Sequence, residues 1–140
     1  MIANSVSQSA AAYRRMAVNT ASAGQLVLML FNGALNRLSA ADAGFDIDDM
    51  SRRNETINEN LVKAQSIIAE LQGTLDKGRG GEFAATMERL YDFMLQRLLA
   101  ANLSKERSAV VEVRDLLREL RDAWRQMLQG QAESRQPGQE

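Results

Sequence analysis

Val110-Val111-Glu112-Val113-Arg114-Asp115-Leu116-Leu117-Arg118-Glu119-Leu120-Arg121-Asp122-Ala123-Trp124-Arg125-Gln126-Met127 decides the fold class. Val110, Val113, Leu117, Leu120, Trp124 and Met127 recur in strict heptad spacing, and Arg114, Asp115, Arg118, Glu119, Arg121, Asp122 and Arg125 occupy the outer side. A helix patterned this way hides one stripe and leaves the rest in water, so it needs partner helices. It follows Ser104 to Ser108, and Gly130 is the expected stop.

The partners lie upstream. A first helix is expected from Ser22, where S-x-x-Q with Gln25 forms a capping box, to about Gly44. A second begins between Asp48 and Ser51, carries Ile57, Leu61, Ala64, Ile68, Leu71 and Leu75 at helical spacing, and ends before Gly78. A third opens after Gly80 and Gly81, with Phe83, Met87, Leu90, Met94 and Leu98 in its stripe, and runs to about Asn102. Helices of about 30 to 40 Å joined by short connections favour antiparallel neighbours. The expected fold is all-α, an antiparallel up-down four-helix bundle over 22–130, with an N-terminal arm or short helix (1–21) packing on it and a disordered polar tail (131–140).

Composition narrows the function. The chain has 140 residues, and 17 Lys and Arg against 18 Asp and Glu give a net charge of -1, which offers no basic excess for a phosphate backbone. It contains no Cys and no His, so the usual nucleophile–base pairs, zinc sites and proton shuttles have no residues to form them. Di-iron and haem sites of the kind housed in helical bundles need histidine as well. No catalytic residue, metal ligand or cofactor is expected. The uncharged stretch from Met16 to Asn36 is broken by Asn19, Thr20, Ser22, Gln25 and Asn32, and its longest apolar run, Leu26 to Phe31, is far below the roughly 20 residues of a membrane span. A cytoplasmic protein without membrane insertion is therefore expected. Gly78-Arg79-Gly80-Gly81 lacks the G-K-[ST] ending of a phosphate loop and reads as an interhelical turn.

Helix four keeps to a single stripe, but the other three carry more apolar surface than a bundle needs. Leu26 to Phe31 is apolar around the full circumference, Ile67 sits beside Ile68, and Tyr91, Leu95 and Leu99 widen the face of helix three. The arm can fold back over this surface, or the surface is a groove for another chain with the arm as its removable lid, and the two readings are compatible.

Four blocks then carry a resemblance. Ala12-Tyr13-Arg14-Arg15-Met16 through Asn19-Thr20-Ala21-Ser22 to Gln25-Leu26-Val27-Leu28-Met29-Leu30-Phe31-Asn32-Gly33-Ala34 comes first, and Glu59-Asn60-Leu61-Val62-Lys63-Ala64-Gln65-Ser66-Ile67-Ile68 second. Gly80-Gly81-Glu82 with Leu90-Tyr91-Asp92-Phe93-Met94, and Leu120-Arg121-Asp122-Ala123-Trp124, follow in order. Together they resemble the FliS family of flagellar secretion chaperones, from about Tyr13 to Leu128. Ala23, Gln25, Phe31 and Asn32 depart from the family pattern, which has proline, Glu, Tyr and Asp there.

The resemblance implies an export chaperone around which the C-terminal region of flagellin wraps. Binding there prevents premature polymerisation and presents flagellin to an export gate component of the flagellar secretion apparatus. An anti-sigma factor is a further partner by the same resemblance. The expected groove and lid comprise Tyr13, Asn19, Thr20, Leu26, Leu30, Asn60, Lys63, Ala64, Ile67, Leu71, Tyr91 and Leu95, with Tyr13 and the arm swinging away when flagellin binds. The alternative is a generic helical adaptor or a homodimerising structural bundle.

Overall fold

The computed structural model describes residues 22–134 and contains four helices: α1 (Ala23–Gly44), α2 (Met50–Gly73), α3 (Gly81–Ser104) and α4 (Arg107–Ser134). The arm expected over 1–21, and residues 135–140 of the expected tail, lie outside the described residues. The fold is an all-α bundle. Each helix packs on the next and α4 returns to α1, with the closest packing between α1 and α2 and the loosest between α3 and α4.

The helices start where short polar side chains can satisfy free backbone amides. Ser22 Oγ accepts from the Gln25 amide at 3.2 Å, and an Asp49 carboxylate oxygen accepts from the Arg52 amide at 2.9 Å. Two ends depart from the spacing. Leu75 continues the α2 stripe, yet the helix closes at Gly73: Thr74 Oγ1 donates to the Leu71 carbonyl at 2.6 Å, and Asp76 Oδ1 accepts from the amides of Gly78 and Arg79. These local bonds draw the backbone into a turn. Leu75 still packs against the core from outside the helix. At the other departure, α4 passes through Gly130 to Ser134, because one glycine in an open helix interior costs only about 1 kcal/mol.

Neighbouring helices run antiparallel, as their cross-contacts step in opposite directions. From the start of α4 to its far half, Arg107 and Arg114 meet Asp42, Arg121 meets Asn32, and Trp124 meets Gly24. Arg37 reaches Asn60, Gln65 the Leu95 carbonyl, and Arg97 Glu112. The bundle therefore has two distinct ends. One gathers the end of α1, the start of α2, the end of α3 and the start of α4. The other gathers the opposite termini.

The first end is closed. Ala41, Ile57, Leu98, Ala101, Ala109, Val110 and Val113 are all sealed from solvent. Only Lys105 and Glu106 separate α3 from α4, and Lys105 adopts the left-handed conformation at φ 53° while its ammonium donates to the carbonyl and side chain of Asn102. Arg107 donates to Asp42 at 2.7 Å and to both oxygens of Asp46, its guanidinium lies 5.9 Å from the Phe45 ring centre, and Arg114 donates to the second Asp42 oxygen at 2.9 Å. The Arg107 hydrogen bond, followed by the charge of Arg107 and the contacts of Arg114, holds the Asp42 carboxyl below its usual range despite partial desolvation. Among the described residues, no helix is long and apolar enough to cross a membrane.

Candidate functional site

The opposite end is open. Along α4 the same heptad stripe changes environment: Val110, Val113 and Leu117 are 0% exposed, Leu120 and Trp124 are half-buried, and Met127 is 41% exposed. Across from it, the stripe of α3 begins with Phe83, which is 63% exposed. Between them lies a cavity of about 360 Å³, with Val27 and Phe31 from α1, Leu75 from the turn, Met87 and Tyr91 from α3, and Leu120, Ala123 and Trp124 from α4 in its walls. Phe83 and Met127 stand at the same hollow. A largely apolar recess with few polar groups is the usual character of a binding site.

Two local features position its walls. Trp124 Nε1 donates to the Gly24 carbonyl at 2.9 Å, which ties the first turn of α1 to α4, and a β-carbon at Gly24 would collide with the Leu128 side chain. Gly81 opens α3 at φ +54°, a conformation that side chains with a β-carbon disfavour, and this turns the chain into Phe83 and Ala84. Tyr91 is buried, and burial pushes its phenol up to about 12, so it is protonated at neutral pH.

The structure distributes the twelve sequence candidates over several surroundings. Asn60 and Ile67 lie on the α1–α2 seam, where Ile67 packs opposite Gly33 and Arg37 reaches Asn60, while Leu26 and Leu30 are half-buried on α1 and Leu30 packs against the core. Lys63 is paired with Glu59 at 3.2 Å. Ala64 and Leu71 are sealed in the core. Leu95 is half-buried on the side of α3 that faces α2. Tyr91 alone among them lines the cavity, while Tyr13, Asn19 and Thr20 lie outside the described residues. Sequence reasoning missed Phe83, Ala123, Trp124 and Met127 as parts of one recess. The usable signal was positional: Phe83 begins one stripe and Met127 ends another, and antiparallel pairing brings those two ends together.

Other surfaces offer less. Val62, Leu99 and Leu103 are exposed along the α2–α3 side. Near the α2–α3 turn, a second hollow of about 390 Å³ is polar, and its groups satisfy one another: Lys77 meets Glu88 at 2.8 Å, and the Gln72 amide donates to Asp92 at 2.7 Å. Among the described residues no cluster of acidic side chains could hold a metal ion.

Comparison with known proteins finds one consistent similarity. A family model described as "Flagellar protein FliS" matches residues 6–131. The chain is 42% identical to the flagellar secretion chaperone FliS of Bacillus subtilis over 89% of each chain. It is 40% identical to that of Salmonella typhimurium, over 79% of this chain and 80% of the relative. With the FliS of Campylobacter jejuni it shares 30% identity over 83% of this chain and 88% of the relative.

Proposed function

Since the chain belongs to the FliS family of flagellar secretion chaperones, which are not enzymes, we propose that it binds the C-terminal segment of flagellin in the cytoplasm, keeps it from polymerising and delivers it to the export gate. One observation carries the reading: the largely apolar cavity at the open end, rimmed by exposed Phe83 and Met127. A bundle that needed only its own stability gains nothing from leaving these side chains in water. An amphipathic helix laid over the rim covers them and places its own apolar side chains in the recess.

Ser22, the first described residue, lies two residues before the Gly24 carbonyl held by Trp124, which is part of the cavity wall. In the proposal, Tyr13 and the rest of residues 1–21 act as a removable lid, with Asn19 and Thr20 setting the turn into α1. Leu26 and Leu30 on α1, with Ile67 on the α1–α2 seam, extend the contact. Folding of the flagellin segment on the surface buries on the order of 1,000 to 3,000 Å² and spends a few kcal/mol on ordering it, which leaves binding reversible enough for handover.

Calorimetry of the full chain with the C-terminal segment of the cognate flagellin tests this. Saturable one-to-one binding with a negative heat-capacity change is expected. Absence of binding overturns the reading. Exposed Val62, Leu99 and Leu103 favour a second reading, a homodimer through the α2–α3 side, and sedimentation of the purified chain as a tight dimer indifferent to flagellin would establish it instead.

A further inference from the structure

The chain contains no cysteine, so its seven methionines hold all of its sulfur. Among the described residues two of them are well exposed: Met50, at 65% and first in α2, and Met127, at the rim of the cavity. Met94 is sealed in the core, Met87 is buried in the cavity wall, and Met29 is half-buried on α1. With no thiol to compete, an exposed thioether is the natural target of a peroxide.

The two exposed sites differ in their surroundings. Met50 lies outside the cavity, at the end of the bundle where α2 starts. Met127 shares the hollow with Phe83, Leu120 and Trp124. A polar group added to Met50 stays in water. One added to Met127 stands where an apolar surface has to be covered.

We infer that Met127 is an oxidation site that governs occupancy of the cavity, with a peroxide as its co-reactant. The thioether sulfur attacks one oxygen of hydrogen peroxide, an S–O bond forms as the O–O bond breaks, and the second oxygen leaves with both protons as water. Sulfur loses two electrons and the peroxide gains them, which leaves methionine sulfoxide. In the free chain that oxygen remains hydrated, because Met127 is exposed. Beneath a bound segment it loses its water and meets apolar side chains that cannot donate to it, which destabilises the complex. Oxidation here therefore acts on binding and not on folding. This inference rests on the reading that the cavity receives the flagellin segment.

The full chain, M127L and M50L are titrated with the C-terminal segment of flagellin by calorimetry, before and after treatment with hydrogen peroxide that is then removed by catalase. Peptide mass spectrometry reads the oxygen added at each methionine. Leucine keeps the approximate volume of methionine and has no sulfur. The readout is the ratio of affinities within each chain, so any effect of a substitution on unoxidised binding drops out. Wild type and M50L are expected to bind roughly 10-fold more weakly after oxidation, and M127L to change by less than about 2-fold. Methionine sulfoxide reductases supplied with a dithiol should restore the lost affinity, and circular dichroism should show the same helicity throughout. The inference is overturned if M127L weakens as much as wild type, if full oxidation of Met127 leaves binding intact, if reduction does not restore it, or if helicity is lost. A second measurement separates this failure from that of the cavity reading. In the complex, the bound segment should protect Met127 from peroxide and leave Met50 as reactive as in the free chain. Protection of Met127 with unchanged affinity after its oxidation keeps the cavity reading and ends this inference. Absence of binding, or a bound segment that leaves Met127 unprotected, ends both.

Discussion

The two ends of this bundle are made from the same repeating pattern and finish in opposite states. At the closed end, α1 meets α2 through a short turn, α3 meets α4 through two residues, and Ala41, Ala101 and Ala109 let the backbones approach. Arg107 and Arg114 then fasten α4 to Asp42 and Asp46. At the open end one connection, residues 74–80, joins the helices, and the bulky Phe31, Tyr91 and Trp124 stand around a void that they do not fill. The difference teaches that a heptad stripe states which face of a helix is apolar. It does not state whether anything is close enough to cover that face.

The largest expected effect sharpens this contrast along a single helix. Leu117→Ala, at a fully buried position, should lower stability by about 3 kcal/mol in urea denaturation. Met127→Ala, ten residues further along the same stripe, should change it by less than about 0.5 kcal/mol. Equal losses would show that the open end is packed as tightly as the closed one and would remove the basis for the contrast.

A smaller effect probes the fastening. Asp42→Asn should cost about 1 kcal/mol at neutral pH, since the pair is partly exposed and screened. The sign of the pH dependence follows from its depressed carboxyl pKa: the contribution is complete above the ordinary value of 3.8 and is lost as pH falls through the lower folded-state pKa. Melting temperatures of wild type and D42N should therefore converge in acid. A constant gap down to low pH would mean that the carboxylate charge does not hold this end together.

The smallest concerns the two-residue turn. Lys105→Gly relieves the left-handed conformation at φ 53° and should raise stability by about 0.5 kcal/mol. A loss instead would assign the larger share to the Lys105 ammonium and its bonds to Asn102.

Much of the architecture was legible in the residues. Ser22 and the segment around Asp49 announce helix starts because a short oxygen-bearing side chain can accept from an amide three residues on. The α2 stop was misread because Leu75 keeps the period while Asp76 and Thr74 redirect the backbone, and only bonds formed after the turn decide between them. The site was less legible. Leu26 to Phe31 looked like the surface in need of cover, and in the fold only Phe31 of that run is fully buried, the others being half-buried. Met87 and Met127 follow identical spacing rules, yet one is buried and the other projects at the rim. Depth along the bundle axis is a property of four helices together. No single helix encodes it in its period.

The two-residue turn has a mechanical consequence. α3 spans 24 residues, about 36 Å at 1.5 Å per residue, and is hinged to α4 at one tip only. Rocking by about 5° at that hinge separates the far tips by about 3 Å, close to the width of a methyl group. Lever length alone would magnify any small angular change at the sealed pivot into a much larger change of gape at the jaws.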